Sequence, residues 1–253
     1  MSQKRLIFGS YAQLYDRVRP SYPAALVDDL VALAGEPSRA VDVGCGTGKA
    51  TTLLATRGLA GVGIEPDVRM AELARVNLAS FVGWRVDVTD FESWEPRSGD
   101  LPVDLVTAAQ AWHWVDSKKG PKQAGRMLRT GGLLAIFGHD SDPKDSPVLS
   151  AMNGVNARYG VAPSVRALAP REPVAPGLGF GESITRSYPV AQDYTATDWI
   201  ERLQTSSEVR SLPAACRALF LEEIAAAIES HGGTYHHHYT CRLWAAPWLG
   251  GSD

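Results

Sequence analysis

Three glycines, Gly44, Gly46 and Gly48, follow the apolar run Val41-Asp42-Val43, and a carboxylate, Glu65, closes the next apolar run. This is the strongest chemical signal in the chain. Glycine turns let backbone pass close beneath a ligand and adopt left-handed conformations. A carboxylate about 20 residues further on, at the end of the next strand, is placed to accept hydrogen bonds from a ribose diol. A dinucleotide fingerprint needs a glycine at the sixth position, where this chain has Lys49, so pyrophosphate binding is disfavoured. The plainer reading, a tight turn with Glu65 as a surface charge, does not account for the strand before and the carboxylate after.

Positioning these groups requires alternating strands and helices. The pattern predicts strands over 39–43, 61–65, 84–88, 103–109 and 133–137. Helices are predicted over 24–34, 49–56 and 118–128, and another runs from Pro66 towards Asn77. Pro66 and Asp67 read as helix-start residues. The run Arg129-Thr130-Gly131-Gly132 reads as a glycine stop. Such alternation implies a parallel sheet, an α/β fold of the doubly wound, Rossmann-like kind. Periodicity is then lost from about Gly138 to Gly181, which reads as a lid or a poorly ordered loop. A strand near 183–190, helices over 196–205 and 213–231, and a closing strand over 235–245 complete the chain. The organisation expected is an N-terminal helical segment (1–38), a cofactor-binding core (39–139), a lid and helical region (140–231) and a C-terminal strand (232–253).

Bulk properties narrow the partners. A formal net charge of −3 disfavours nucleic acid, which usually needs a basic face. Lys118, Lys122, Arg126 and Arg129 follow helical spacing and read as a solvated outer face. Cys45, Cys216 and Cys241 are dispersed and odd in number, as expected of a reducing, cytoplasmic setting. No apolar run approaches the ~18 residues of a membrane span, and no signal-peptide core is evident. Either a monomer or a homodimer is compatible with this composition.

The chain resembles the class I S-adenosylmethionine (SAM)-dependent methyltransferases across about residues 10–139. Within that family it is most similar to the branch of ubiquinone/menaquinone-type enzymes. The glycine turn, Tyr15-Asp16-Arg17-Val18-Arg19-Pro20-Ser21-Tyr22-Pro23, Ala109-Gln110-Ala111-Trp112-His113-Trp114-Val115-Asp116 and Leu128-Arg129-Thr130-Gly131-Gly132 carry the likeness in the family's order. Threonine stands where that last turn has proline. The resemblance implies a seven-stranded sheet, mostly parallel, whose last two strands form an antiparallel hairpin. It implies SAM as methyl donor, S-adenosylhomocysteine (SAH) as product, and a small-molecule acceptor. Carried over by position, Asp42, Gly44, Cys45, Gly46 and Gly48 face the methionine end. Glu65 and Pro66 lie at the ribose, Asp87 and Val88 at the adenine, and Gln110 near the methyl group. Tyr15 closes over the cofactor.

Methyl transfer from a sulfonium is an in-line displacement that demands alignment and exclusion of water. A phenol, alcohol or amine acceptor also needs a base. His113 is the first candidate and His139, at the end of the fifth strand, the second; structural packing competes for both. Trp112 and Trp114 share a face if the segment is extended, and either suits an aromatic acceptor or the sulfonium charge. Tyr11 is a further acceptor-side candidate. No Asn-Pro-Pro-Tyr follows the fourth strand, which disfavours planar amino acceptors. His236-His237-His238 alternate in a strand with no evident acidic or cysteine partner, so no metal site is expected. A non-catalytic SAM-binding or regulatory module is the competing function, because a fold does not determine chemistry.

Overall fold

The computed structural model describes residues 11–142, 144–162 and 172–250. Two compact units emerge. A sheet unit comprises Ser21–His139, Pro170–Tyr188 and Cys241–Asp253; a helical unit comprises Met1–Pro20, Asp140–Ala169 and Pro189–Thr240. The division falls at Ser21, inside the segment that sequence alone treats as one piece. Positions 163–171 of the expected lid lie outside the described residues.

The sheet unit opens with helix α2 (Ala24–Leu33), followed by β1 (Arg39–Val43), α3 (Lys49–Ala55), β2 (Ala60–Ile64), α4 (Val68–Asn77) and β3 (Trp84–Asp87). Strand β4 (Val103–Ala109), helix α5 (Lys119–Met127) and β5 (Leu128–Ser141) complete the alternation. β1 pairs in parallel with β2 and β4, β2 with β3, and β4 with β5. Both faces of such a sheet must be covered, which explains the nearly continuous apolar runs. Val41, Val43, Val62, Ile64, Val106 and Leu134 form its buried centre.

Seven strands line up in the order β3-β2-β1-β4-β5-β7-β6, with β6 spanning Ile184–Thr195 and β7 Thr234–Pro247. β7 runs antiparallel to β5: Gly131 N–H donates to the Trp248 carbonyl, and Asp142 N–H to that of His238. β6 and β7 are neighbours, as the family resemblance implies, but they are not a hairpin. Helices α7 (Ala196–Gln204), α8 (Ser207–Arg210) and α9 (Ala214–Glu229) lie between them in sequence.

The remaining elements of the helical unit are α1 (Ala12–Val18) and α6 (Pro147–Tyr159). On α9, Phe220, Ile224 and Ile228 repeat every fourth residue and are fully buried, the spacing of one helix face. They pack with Val148, Met152, Trp199 and Tyr235.

Two expectations are corrected here. The stretch after Gly138 is not without structure, because β5 continues to Ser141 and α6 follows. Ser146 caps α6 by accepting from Leu149 N–H, Pro147 occupies its first turn, and Gly160 (φ 65°) ends it. These are ordinary start and stop signals masked by the surrounding prolines. Nor is Arg129–Gly132 a glycine stop. It is already strand, with a register shift between Val103↔Leu128 and Leu105↔Leu133, and Gly131 (φ 77°) is the bulge that pairs with Trp248.

Candidate functional site

Strand order reverses between β1 and β4, the position at which open α/β sheets bind ligands outside the strands' carboxyl ends. Here the glycine turn leaves β1 and the 109–114 segment leaves β4. Gly44 (φ 64°) is left-handed, and a Cβ on it would lie 2.5 Å from that of Ala111. Any side chain at 44 would therefore push the two loops apart. Gly48 (φ 85°) is the N-cap of α3 and fits against Ala74 of α4.

Glu65, 7% exposed, stands at the end of β2. Its Oε2 accepts from Gly46 N–H and its Oε1 from Asp67 N–H, each at 2.9 Å. The carboxylate thus ties the glycine turn to the start of α4. Asp67 caps α4, accepting from Arg69 and Met70 N–H, with Pro66 immediately before it. Cys45 donates its N–H to the Ile64 carbonyl. Its thiol is buried, and burial followed by the Glu65 and Asp42 charges pushes its pKa well above the usual range. Cys45 is therefore a packing residue against Gly63, not a nucleophile.

Asp42 is fully enclosed. Thr51 donates to Oδ2 at 2.5 Å and Thr107 to Oδ1 at 2.8 Å, linking β1, α3 and β4. Burial raises its pKa to about 6, against the opposing pull of the two hydroxyls. The threonines are partners of Asp42 that the sequence alone did not single out.

Asp87 ends β3 with its carboxylate already engaged. Trp94 Nε1 and Arg85 Nη2 donate to Oδ2 at 3.0 and 3.2 Å, and Arg97 Nη2 to Oδ1 at 2.8 Å. Burial raises its pKa, but Trp94 and the two arginines outweigh this and hold it below the usual carboxylate range. Arg85 also grips both oxygens of Asp100. Val88, next along, is exposed.

Gln110 follows β4 with φ 56°, a left-handed conformation that costs a side-chain-bearing residue energy. Its N–H donates to the Phe137 carbonyl and its Nε2 to the His139 carbonyl. The strain is thus held by β5. Next comes a 3₁₀ turn, Trp112–Trp114, instead of the extended segment expected. The two tryptophans consequently do not share a face. Trp112 is buried, donating from Nε1 to the Pro173 carbonyl, whereas Trp114 is 37% exposed and packs near His113 (ring centroids 4.8 Å). His113 is exposed, and the partial desolvation of its ring draws its pKa below the ordinary imidazole value. The His139 ring stacks on Tyr22 with centroids 4.8 Å apart.

The structure therefore gathers the glycine turn, Glu65, Asp42 and the Gln110–Trp114 segment around the ends of β1, β2 and β4. Tyr11 and Tyr15 belong to the helical unit. There the Arg210 guanidinium lies 4.0 Å from the Tyr11 ring centroid, and that of Arg19 lies 5.2 Å from Tyr15. Within the histidine run, His237 is buried and His236 exposed, as alternation predicts. The expectation of no acidic partner is corrected: Asp193 Oδ1 lies 2.6 Å from His236 Nδ1. Among the described residues no three His, Cys, Asp or Glu side chains are grouped to hold a metal. No helix there is long and apolar enough to cross a membrane.

Fold and site together define an open α/β protein with a nucleotide-type glycine turn at its switch point. Residues 15–167 match the methyltransferase domain family, and the chain belongs to that family. The match is to the domain at large and does not select the ubiquinone-type branch. An uncharacterized methyltransferase of Mycobacterium tuberculosis is 37% identical over 139 residues, 55% of this chain and 54% of that protein. The chain spans about half the length of the curated relatives of that group. A trans-aconitate 2-methyltransferase of Paracidovorax citrulli is 29% identical over 76% of this chain and 78% of its own length. In fold, the chain is similar to a protein of Anaeromyxobacter dehalogenans provisionally assigned as a type II methyltransferase. That likeness has a TM-score of 0.66 and 24% identity, covering 92% of this chain and 99% of the other.

Proposed function

We propose that this chain transfers a methyl group from SAM to a small-molecule acceptor. The observation that carries the reading is the Glu65 carboxylate. It is fixed by the Gly46 and Asp67 amides at the end of β2, beside the left-handed glycine turn. A carboxylate at the end of the second strand is placed to accept from a ribose diol. The turn's glycines present backbone without Cβ, and the Asp42–Thr51–Thr107 lock holds that turn on β1 and β4. SAM, when bound, supplies a methyl group already activated on a sulfonium.

The rest of the work falls to alignment and proton handling. Gln110, held in its strained conformation, and Trp114 flank the acceptor side. His113 is the general base where the acceptor carries a proton. Its lowered pKa keeps the imidazole neutral, hence able to accept, at neutral pH. His139 is the alternative base. Asp87 is taken up by Arg85, Arg97 and Trp94, so its part is to shape the adenine end, with Val88 lining it.

The deciding experiment is calorimetric titration with SAM and SAH, in wild type and Glu65→Ala. Loss of a charge-assisted bidentate contact is expected to weaken binding by about 2 kcal/mol. Wild-type affinity in a folded mutant would remove Glu65 from the site. Relatives named for trans-aconitate make that compound the first acceptor to screen.

A further inference from the structure

Three consecutive residues of β5 hold Gln110. Its backbone N–H donates to the Phe137 carbonyl, and its Nε2 donates to the His139 carbonyl at 3.2 Å. Between these two acceptors Gly138 has no side chain, and the Gln110 carboxamide fills the space. A Cβ on Gly138 would lie 3.0 Å from the Gln110 Cδ and 3.2 Å from both Nε2 and Oε1, and these are its three nearest neighbours. The strand ladder explains the arrangement. Ala109 pairs with Phe137 at the end of β4, and the chain then turns away at Gln110 (φ 56°). The side-chain amide serves the next carbonyl along that edge of β5 in place of a β4 backbone N–H.

Nothing in the backbone asks for glycine at 138. The residue lies within β5 and is not one of the left-handed glycines. A glycine inside a strand weakens it and marks a close approach, and what approaches here is the Gln110 amide. The amide's orientation is fixed by chemistry, because the reversed group would set its oxygen against the His139 carbonyl. Nε2 is therefore committed, and among the described residues no donor meets Oε1, although Gln110 is exposed. We infer that Gly138 is a positioning residue for methyl transfer: by leaving room for the Gln110 carboxamide, it holds Oε1 towards the positive charge of SAM. This rests on the methyl-transfer reading above, with Gln110 near the methyl group. A carboxamide oxygen held in advance favours a sulfonium over the neutral thioether of SAH.

The test is calorimetric titration of SAM and SAH into wild type, Gln110→Ala, Gly138→Ala and the double variant. Gly138→Ala should lower the SAM-to-SAH affinity ratio about fivefold, as Gln110→Ala does. Added to Gln110→Ala it should change the ratio no further, since the atoms its Cβ displaces are gone. Its melting temperature should stay within about 3 °C of wild type, because an exposed carboxamide swings aside at little cost. A wild-type ratio in either single variant would overturn the proposal. So would a Gly138→Ala effect that persists in the Gln110→Ala background, or a failure to fold that Gln110→Ala does not rescue, since the glycine would then act through another contact. The ligand-free protein gives a separate reading by NMR. The Gln110 side-chain NH2 resonance, identified by its loss in Gln110→Ala, should move to the position of a solvated amide in Gly138→Ala. An unmoved resonance would overturn the positioning role. A wild type that binds neither SAM nor SAH would instead defeat the methyl-transfer reading, and with it the link to the sulfonium, while the resonance still shows whether the glycine holds the amide.

Discussion

The glycine turn of the sheet unit and the aromatic cluster of the helical unit surround their polar groups differently. Around the glycine turn three carboxylates are met by donors: Asp42 by two threonines, Glu65 by two amides, Asp87 by two arginines and a tryptophan. In the helical unit the Arg202 Nη1 and the Tyr194 hydroxyl stay unmatched inside an aromatic cluster. A satisfied network rigidifies a site in advance of its ligand, whereas enclosed polar atoms without partners cost stability.

That contrast can be broken by uncoupling the units. Phe220→Ala removes a fully buried ring from the helical core and is expected to cost about 4 kcal/mol in urea unfolding. SAH affinity of the folded fraction should stay at the wild-type value; a matching loss of affinity would show that the two units do not act separately. Gly44→Ala attacks the other side. Left-handed strain plus the 2.5 Å approach to Ala111 should cost about 3 kcal/mol and reduce SAH binding as well. Stable, tight-binding Gly44→Ala would refute the close approach of the two loops.

His113→Ala separates chemistry from binding. Turnover should fall about a hundredfold, or about 2.7 kcal/mol, while SAH affinity is retained; an unaltered kcat would reject the base. In wild type the acid limb of kcat should have its midpoint below the ordinary 6.5 of histidine, the direction in which desolvation moves this ring.

Asp42 offers the smallest effect and a sign that is easily read. Its folded pKa, about 6, lies above the unfolded value of 3.8. Between those values the native state binds more protons than the unfolded state, so Asp42 lowers stability as pH rises through this window. Asp42→Asn should therefore be more stable than wild type by about 2 kcal/mol at pH 7.5, an advantage that vanishes near pH 4. Denaturant midpoints at the two pH values decide it. An advantage that grows on acidification would mean that the carboxylate is stabilised, not strained, by its burial.

Much of the sheet unit was legible from local pattern. Val103–Ala109 and Arg39–Val43 have the bounds that alternation predicts, since parallel strands read as apolar runs between turn signals. Glu65 was legible for the same reason. The helix α6 was hidden by surrounding prolines, although Ser146-Pro147 and Gly160 mark its ends. Gly131-Gly132 misled because a glycine bulge and a helix stop have the same composition. They are told apart only by Trp248, more than a hundred residues away, whose carbonyl takes the Gly131 N–H.

By itself the sequence determined what neighbouring residues decide: the left-handed turn that only glycines enter cheaply, the carboxylate that closes β2, and the side-chain caps that start α4, α6 and α7. Tertiary structure alone decided the state of the charges. Whether Asp87 is open or gripped depends on Arg97 and Trp94, and whether Arg202 has an acid depends on what α1, β6 and β7 bring to it. Backbone conformation is set within a few residues, but the solvation and pairing of a charge depend on everything packed around it, at whatever distance along the chain.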